Sequence, residues 1–189
     1  MSLAAKPVWA MEFAYRGWRF NTDAARGPLP AALADSLKAQ VDIVESLDLK
    51  PPIKAFFQGV PLEIDPTTKG GAGEYNFDRR RMYLSMDIDP PENPVFLHEL
   101  LHAYHDQRLP GGRRNAQVIG FYEQAKRSGR FPPRSYMLKN PVEFFAMCAS
   151  VVLWGRAARP PSTREAVREA LPDMYDWIVR EFTATGTLS

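Results

Sequence analysis

Apolar and polar positions in the first third of the chain predict strands around one helix. Residues 8–20 are rich in aromatic side chains and partly alternate between apolar and polar, which is typical of a strand or a hairpin arm. Over residues 30–49 the apolar positions recur every three or four residues, which predicts an amphipathic helix of about five turns. The pattern over residues 53–64 predicts a second strand, interrupted by Gly59 and Pro61.

The middle of the chain predicts a hairpin followed by a helix. Residues 67–73 are glycine-rich and indicate a loop, and residues 74–84 then predict a hairpin that turns near residues 78–80. An extended connector over residues 87–91 leads to a helix over residues 93–106, where Asn93 is suited to the N-cap and Pro94 to the first helical position.

The second half is predicted to be helical. Three of its helices are predicted over residues 115–128, about 141–155 and 172–182. A further short helix is predicted to open with a Ser162/Glu165 capping box and to end at Leu171. Together the two halves predict an α+β protein, with a small, mostly antiparallel sheet beside the helix at 93–106. We expect all 189 residues to form one domain, since a chain of this length can bury a single core.

Composition excludes some partners and leaves the compartment open. A net charge of +2 is too small to indicate nucleic-acid binding, and the apolar runs are too short to span a bilayer. Cys148 is the only cysteine, which rules out an intrachain disulfide, and its apolar neighbours predict a buried thiol. The first ten residues lack the apolar stretch of a signal peptide, but a signal could have been removed, so localisation is not predicted.

The helix at 93–106 contains the sequence His98-Glu99-Leu100-Leu101-His102. Residues four apart lie on the same helix face, so both imidazoles can bind a single ion. Glu99 is displaced by about 100° of helical turn, which suits a general base beside the metal rather than a ligand. The alternative is a structural helix in which two histidines fall four apart by accident. Catalytic zinc has three protein ligands and an open position, so a third ligand is needed.

Glu143 is the best candidate for that third ligand. It lies in the first turn of an otherwise apolar helix, where a buried carboxylate is costly unless it meets a cation or a metal. The alternative is a solvated first-turn glutamate that is favoured by the helix dipole. Tyr136 precedes Glu143 by seven residues, and its alternative is an ordinary core or surface aromatic residue.

These residues together resemble the lethal-factor-like zinc metallopeptidases, the gluzincin group that includes the anthrax lethal factor protease domain and the clostridial Pro-Pro endopeptidases. In that family a HExxH helix is followed about forty residues later by a Tyr-x6-Glu-Phe/Tyr-Phe-Ala segment. This chain has Tyr136 and then Glu143-Phe144-Phe145-Ala146, and Glu143 follows His102 by 41 residues. The resemblance covers about the C-terminal half and does not reach the first 70 residues.

The resemblance implies a zincin-like fold and a zinc-dependent peptidase, with endopeptidase action favoured. It implies that His98, His102 and Glu143 bind Zn²⁺, that Glu99 is the general base, and that Tyr136 donates a hydrogen bond to the oxyanion. Leu101 stands where the named relatives have glycine, and Met147 where an acidic residue is common. These departures affect the surroundings of the metal rather than its ligands.

Two further polar residues, His105 and Asp106, follow the motif on the same helix. His105 is about 10.5 Å along the helix from His98, too far to bind the same ion, and it is predicted to be structural or to support a ligand. Asp106 is a candidate to accept a hydrogen bond from a ligand histidine.

The expected partner is a peptide or protein substrate, and a monomer is favoured although the sequence does not determine the oligomeric state. The strand over residues 74–77 is a candidate for pairing with an extended peptide, with Gly70, Gly71 and Gly73 leaving room for its backbone. The alternative is an ordinary loop and hairpin. The alternatives to an active peptidase are a catalytically silent binding protein, a structural zinc protein and a narrow-specificity effector of the toxin type.

Overall fold

A computed structural model describes residues 11–68, 73–90 and 93–188. Within these residues the chain forms five strands and seven α-helices, which is an α+β architecture. The strands are β1 (Glu12–Tyr15), β2 (Trp18–Asn21), β3 (Leu62–Ile64), β4 (Gly73–Asn76) and β5 (Arg81–Leu84). The helices are α1 (Ala31–Ser46), α2 (Pro51–Gln58), α3 (Val95–Gln107), α4 (Ala116–Ser128), α5 (Pro141–Trp154), α6 (Arg164–Ala170) and α7 (Pro172–Phe182).

The strands form one mixed sheet in the order β1-β2-β3-β5-β4, with β4 at an edge. The two outer pairs, β1–β2 and β4–β5, are antiparallel hairpins, whereas β3 is parallel to both β2 and β5. The prediction of a mostly antiparallel sheet was therefore wrong. The cause is the long crossover through α1 and α2, which returns the chain to the same end of the sheet before β3 begins.

The hairpin predicted at residues 74–84 is confirmed, and the segment predicted as a strand or a hairpin arm is a hairpin within the described residues. Residues 11–21 form the β1–β2 pair, with Arg16 and Gly17 at positive φ in its turn, and residues 8–10 lie outside the described range. The second hairpin joins β4 to β5 through a turn at residues 77–80, close to the predicted 78–80. Most of the predicted loop at 67–73 lies outside the described residues, including Gly70 and Gly71.

The prediction of one strand over residues 53–64 was wrong. The first part of this segment is α2, and only β3 at its end is extended. Pro51 begins α2 at the first helical position, where a missing N–H costs nothing, and Ile53 and Phe57, four residues apart, are buried on the same helix face. The turn after Gly59 then leads into β3.

The other predicted helices are confirmed, with adjusted ends. The helix predicted over 30–49 is α1 and ends at Ser46, and those predicted at 115–128, about 141–155 and 172–182 are α4, α5 and α7. The N-cap of α6 is Thr163 rather than Ser162, since its hydroxyl accepts a hydrogen bond from the Ala166 N–H at 3.3 Å.

Helix α3 lies at the centre of the molecule. It packs against α5 on one side and β4 on another, and most of its residues are buried, among them Leu97, Leu100 and Leu101. Cys148 of α5 is buried in the same core, as predicted, and burial raises the pKa of its thiol. Within the described residues, no helix is long and apolar enough to cross a membrane.

Candidate metal centre

Helix α3 holds the two histidines of the motif on one face. His98 and His102 have their Nε2 atoms 3.0 Å apart, and the His102 ring is almost fully buried. The edge of the Phe77 ring meets the His102 ring at a centroid distance of 5.8 Å, and the Arg113 guanidinium covers Phe77 at 4.7 Å. Packing from the β4–β5 turn therefore fixes the orientation of this imidazole.

The N-terminus of α3 is capped by a side chain from another helix. The Gln40 Oε1 of α1 accepts a hydrogen bond from the Phe96 N–H at 3.2 Å, and its Nε2 donates to the Asn93 carbonyl oxygen at 2.8 Å. Asn93 and Pro94 were predicted to open the helix through an Asn93 side-chain cap, but Val95 is the first helical residue and the Asn93 side chain makes no cap. The tertiary contact with Gln40 replaces it.

Helix α5 brings Glu143 to the histidines. Asn140 caps this helix, because its Oδ1 accepts hydrogen bonds from the Val142 and Glu143 N–H groups. The Glu143 Oε2 lies 3.3 Å from His98 Nε2 and 3.4 Å from His102 Nε2. Burial raises the pKa of the Glu143 carboxyl, but the two histidine rings outweigh burial and hold that pKa well below its usual range.

Glu99 occupies a different position beside the same rings. Its Oε2 accepts a hydrogen bond from the Tyr75 N–H of β4 at 2.6 Å. The candidate ligand atoms of His98, Glu99 and His102 lie within 4.8 Å of one another, which makes Glu99 a second possible ligand. His98 Nε2, His102 Nε2 and Glu143 Oε2 form a tighter triangle, and the β4 backbone already holds one Glu99 oxygen. Glu143 is therefore the better candidate for the third ligand, and Glu99 lies beside the triangle.

Tyr136 reaches the site from a short 3₁₀ turn, Tyr136–Leu138, before α5. Its ring is 39% exposed, and the residue lines the cleft together with Glu99, His102 and Glu143. Burial of the hydroxyl, with the nearby Glu143 carboxylate next in effect, raises the pKa of Tyr136 to about 12. The phenol therefore keeps its proton at neutral pH and can donate it in a hydrogen bond.

His105 and Asp106 of α3 make no hydrogen bond to the candidate ligand histidines within the described residues. His105 is fully buried against Phe145, and neither ring nitrogen has a partner among the described residues. Asp106 faces β4, where it accepts a hydrogen bond from the Tyr75 hydroxyl at 3.3 Å and pairs with Arg113 at 3.6 Å. His102 Nδ1 has no partner among the described residues, and no hydrogen bond there joins Asp106 to either histidine, so the candidate role of Asp106 as an acceptor for a ligand histidine is not confirmed.

The geometry of the three ligand atoms fits a zinc ion. Zn²⁺ bound by imidazole and carboxylate at about 2.0–2.1 Å in a tetrahedron has neighbouring ligand atoms about 3.3 Å apart. The separations in this site are 3.0, 3.3 and 3.4 Å. The Glu143 Oε2 is buried and makes no regular hydrogen bond with any described residue, which is the position of an atom that faces a cation.

A cleft extends on both sides of this centre. On the His102 side a cavity of about 480 Å³ is lined by β4 residues together with Arg113, Tyr136 and Lys139. On the His98 side a cavity of about 190 Å³ is lined by Gly73, Asp89 and Arg159, among others. No sequence pattern indicated Asp89 or Arg159, since both lie in irregular segments without periodicity.

No protein-family model matches the sequence, and a search of curated proteins finds no similar sequence. The resemblance to lethal-factor-like peptidases therefore depends on the motif residues and their spacing. The structure brings all five of the predicted site residues, His98, Glu99, His102, Tyr136 and Glu143, to one cleft.

Proposed function

We propose that the protein is a zinc-dependent metallopeptidase that hydrolyses peptide bonds within a chain. The observation that supports this most strongly is the triangle of His98 Nε2, His102 Nε2 and Glu143 Oε2, with sides of 3.0, 3.3 and 3.4 Å. In this proposal these three residues hold Zn²⁺, and the fold is of the zincin type. The chemistry that zinc supplies when bound is polarisation of the scissile carbonyl and acidification of water.

Glu99 is proposed to act as the general base. Its carboxylate lies beside the ligand triangle and lines the cavities on both sides of it, so it can reach a water that attacks the carbonyl. The hydrogen bond from the Tyr75 N–H fixes one oxygen, which leaves the other to accept the proton and pass it to the leaving amine. No covalent intermediate between enzyme and substrate is needed.

Tyr136 is proposed to stabilise the oxyanion. The protonated phenol is partly exposed to the cleft and lies near Glu143, so it can donate to a negatively charged oxygen that develops beside the ligands. The Asn140 cap holds Glu143 at the start of α5, and Tyr136 lies in the 3₁₀ turn just before that helix. The distance from the ligand Glu143 to the donor Tyr136 is therefore set within one short segment of the chain.

The shape of the cleft supports action within a chain. The cavities on the His98 and His102 sides leave room for substrate residues before and after the cleaved bond. The edge strand β4 runs alongside both cavities. Gly73 lines the two of them, and Tyr75 and Asn76 line the cavity on the His102 side. Apart from the Tyr75 N–H, which donates to Glu99, the backbone groups on the outer edge of β4 can bind an extended peptide through hydrogen bonds.

The test is to measure metal content and peptide cleavage on matched variants. We expect about one zinc per chain in the wild type, loss of zinc in Glu143→Ala, and retained zinc with cleavage lowered by about 10²–10⁴-fold in Glu99→Gln. Glu169→Gln, an exposed position on α6, is the control and should match the wild type. Retained zinc in Glu143→Ala would disprove the ligand assignment. Bound zinc without cleavage of a mixed peptide library would indicate a binding or effector protein.

A further inference from the structure

The cavity on the His98 side has an acidic wall. Its lining includes Asp89 from the connector before α3, Val95 at the start of α3, Met147 and Ser150 of α5, and Arg159 after α5. Glu99 and Tyr136 line the same cavity, so it opens directly onto the reacting groups of the proposed peptidase. A substrate side chain next to the cleaved bond would enter it.

The direction of β4 indicates whether the substrate side chain in this cavity precedes or follows the cleaved bond. The Tyr75 N–H points away from β5 to Glu99, so the outer edge of β4 faces the cleft, and Gly73, two residues earlier, presents its backbone on the same edge. β4 runs from the His98-side cavity towards the His102-side cavity. A peptide that pairs antiparallel with β4 therefore places its carboxyl-terminal part, which follows the cleaved bond, at the His98-side cavity.

Asp89 lines this cavity with a fixed backbone and, within the described residues, an unpaired carboxylate. The Ser36 hydroxyl holds its backbone on both sides, accepting from the Asp89 N–H at 3.0 Å and donating to its carbonyl oxygen at 3.3 Å. Within the described residues the Asp89 side chain makes neither a hydrogen bond nor an ion pair, although it is partly buried. Burial, with like charge from Asp87 and Glu99, raises the pKa of Asp89 to about 6, and a cation beside it would relieve that repulsion.

Arg159 does not neutralise this carboxylate. It is exposed, and its guanidinium lies over the Tyr136 ring at 5.6 Å from the centroid. An ion pair with an exposed arginine contributes little, whereas a partly buried carboxylate without a partner discriminates strongly by charge. The cavity therefore favours a cationic side chain over an anionic one.

Building on the proposed peptidase function, we propose that the His98-side cavity binds a lysine or arginine side chain at the first residue after the cleaved bond, with Asp89 as the residue that determines this specificity. The aliphatic stem of such a side chain would lie along Val95 and Met147, and its charged end would meet the Asp89 carboxylate.

The first arm of the test measures kcat/KM for quenched peptides that differ only at the residue after the bond, which is lysine, norleucine or glutamate. We expect the wild type to prefer lysine over norleucine by about tenfold or more, and Asp89→Asn to lower that ratio to near one. Asp89→Lys should reverse the order so that glutamate is preferred. Asp87→Asn, an exposed neighbour outside the cavity lining, is the matched control and should keep the lysine preference.

The second arm measures binding of the same peptides to zinc-loaded Glu99→Gln by calorimetry, which does not depend on turnover. If the protein binds the lysine peptide more tightly and Asp89→Asn abolishes that preference, the cavity assignment is supported even when no peptide is cleaved. In that case only the peptidase proposal fails. Cleavage without any lysine preference overturns the cavity assignment and leaves the peptidase proposal intact. Equal binding of the three peptides together with no cleavage overturns both.

Discussion

The Tyr136 phenol is kept in its protonated form by its surroundings. Burial and the Glu143 carboxylate raise the pKa of Tyr136 to about 12, so the phenol does not ionise at neutral pH. A proton held in this way is available for a hydrogen bond to an oxygen that gains charge during the reaction. The ring also packs under the Lys139 and Arg159 cations, at 5.2 and 5.6 Å, which fixes its plane.

Replacing Tyr136 by Phe removes the donor while keeping the ring. We expect kcat to fall by about 10²–10³-fold with KM nearly unchanged, because the hydrogen bond strengthens only in the transition state. Tyr175→Phe on α7, outside the cleft lining, is the control and should retain full activity. Steady-state kinetics and zinc content settle the matter: a rise in KM alone, or loss of zinc, would show that Tyr136 positions substrate or metal instead.

His105 is buried without hydrogen-bond partners among the described residues. Burial, with the neighbouring His102 and Arg113 adding to it, lowers the pKa of His105 to about 4 from an ordinary value of 6.5. The folded protein therefore holds a neutral imidazole where the unfolded chain binds a proton below pH 6.5. Stability from this residue is complete above pH 6.5 and is lost as pH falls from 6.5 to 4.

Substituting Leu for His105 should remove that loss. The difference of about 2.5 pKa units corresponds to about 3 kcal/mol between pH 7 and pH 4. Between pH 7 and pH 4, we expect the free energy of unfolding to fall by about 3 kcal/mol less in His105→Leu than in the wild type. Denaturant unfolding at both pH values, with a chelator present to exclude metal effects, measures it. Parallel pH dependence of the two proteins would contradict the neutral buried state.

At the scale of single elements, α3 depends on a contact from α1 to begin. Gln40 is almost fully buried and satisfies both the Phe96 N–H and the Asn93 carbonyl oxygen. The first N–H groups of a helix have no partner within the helix, and a buried one that is left unpaired is costly. The histidine-bearing helix is thus fixed at its N-terminus, two residues before His98.

Gln40→Leu removes both hydrogen bonds while keeping an apolar volume in the core. We expect a loss of about 1–2 kcal/mol in the free energy of unfolding. Gln117→Leu, at an exposed position of α4, is the matched control and should change stability little. Chemical denaturation of both variants compares them, and equal stability of the two would show that water replaces Gln40 as the cap.

The elements also show how far local sequence patterns reach. The Asn140-Pro141 start of α5 and the Gly129 end of α4 were predictable because their capping interactions involve neighbouring residues. The Gln40 cap joins residues 56 apart, so no local pattern could indicate it. The segment at 53–64 was assigned to a strand because its short apolar runs suit either state, and only the packing of Ile53 and Phe57 distinguishes them.

At the scale of the whole molecule, the candidate centre joins three parts of the chain. His98 and His102 come from α3, Glu143 from α5, and the Tyr75 N–H that holds Glu99 from β4. The histidine pair was predictable because four residues make one helical turn. The Glu143 assignment depended on the cost of burying a first-turn carboxylate and on the family resemblance rather than on periodicity, and Asp89 had no signal because its position depends on how the connector packs against α1.

If the triangle of His98, His102 and Glu143 binds zinc as proposed, metal binding and folding are interdependent, because the triangle exists only when α3 and α5 are packed. At free zinc about 100 times the dissociation constant, binding to the folded state alone adds about 2.7 kcal/mol. For a chain of this size we therefore expect Tm to rise by about 5–10 °C on adding zinc. Calorimetry of the chelator-treated wild type with and without zinc measures the shift in Tm. Glu143→Ala should show no such shift. Magnesium should not raise the Tm of the wild type, since Mg²⁺ prefers oxygen ligands in an octahedron. An unchanged Tm in the wild type would mean that the three atoms lie together without serving as a metal site, and the close approach of two imidazoles to one carboxylate would then be an ordinary buried ion pair.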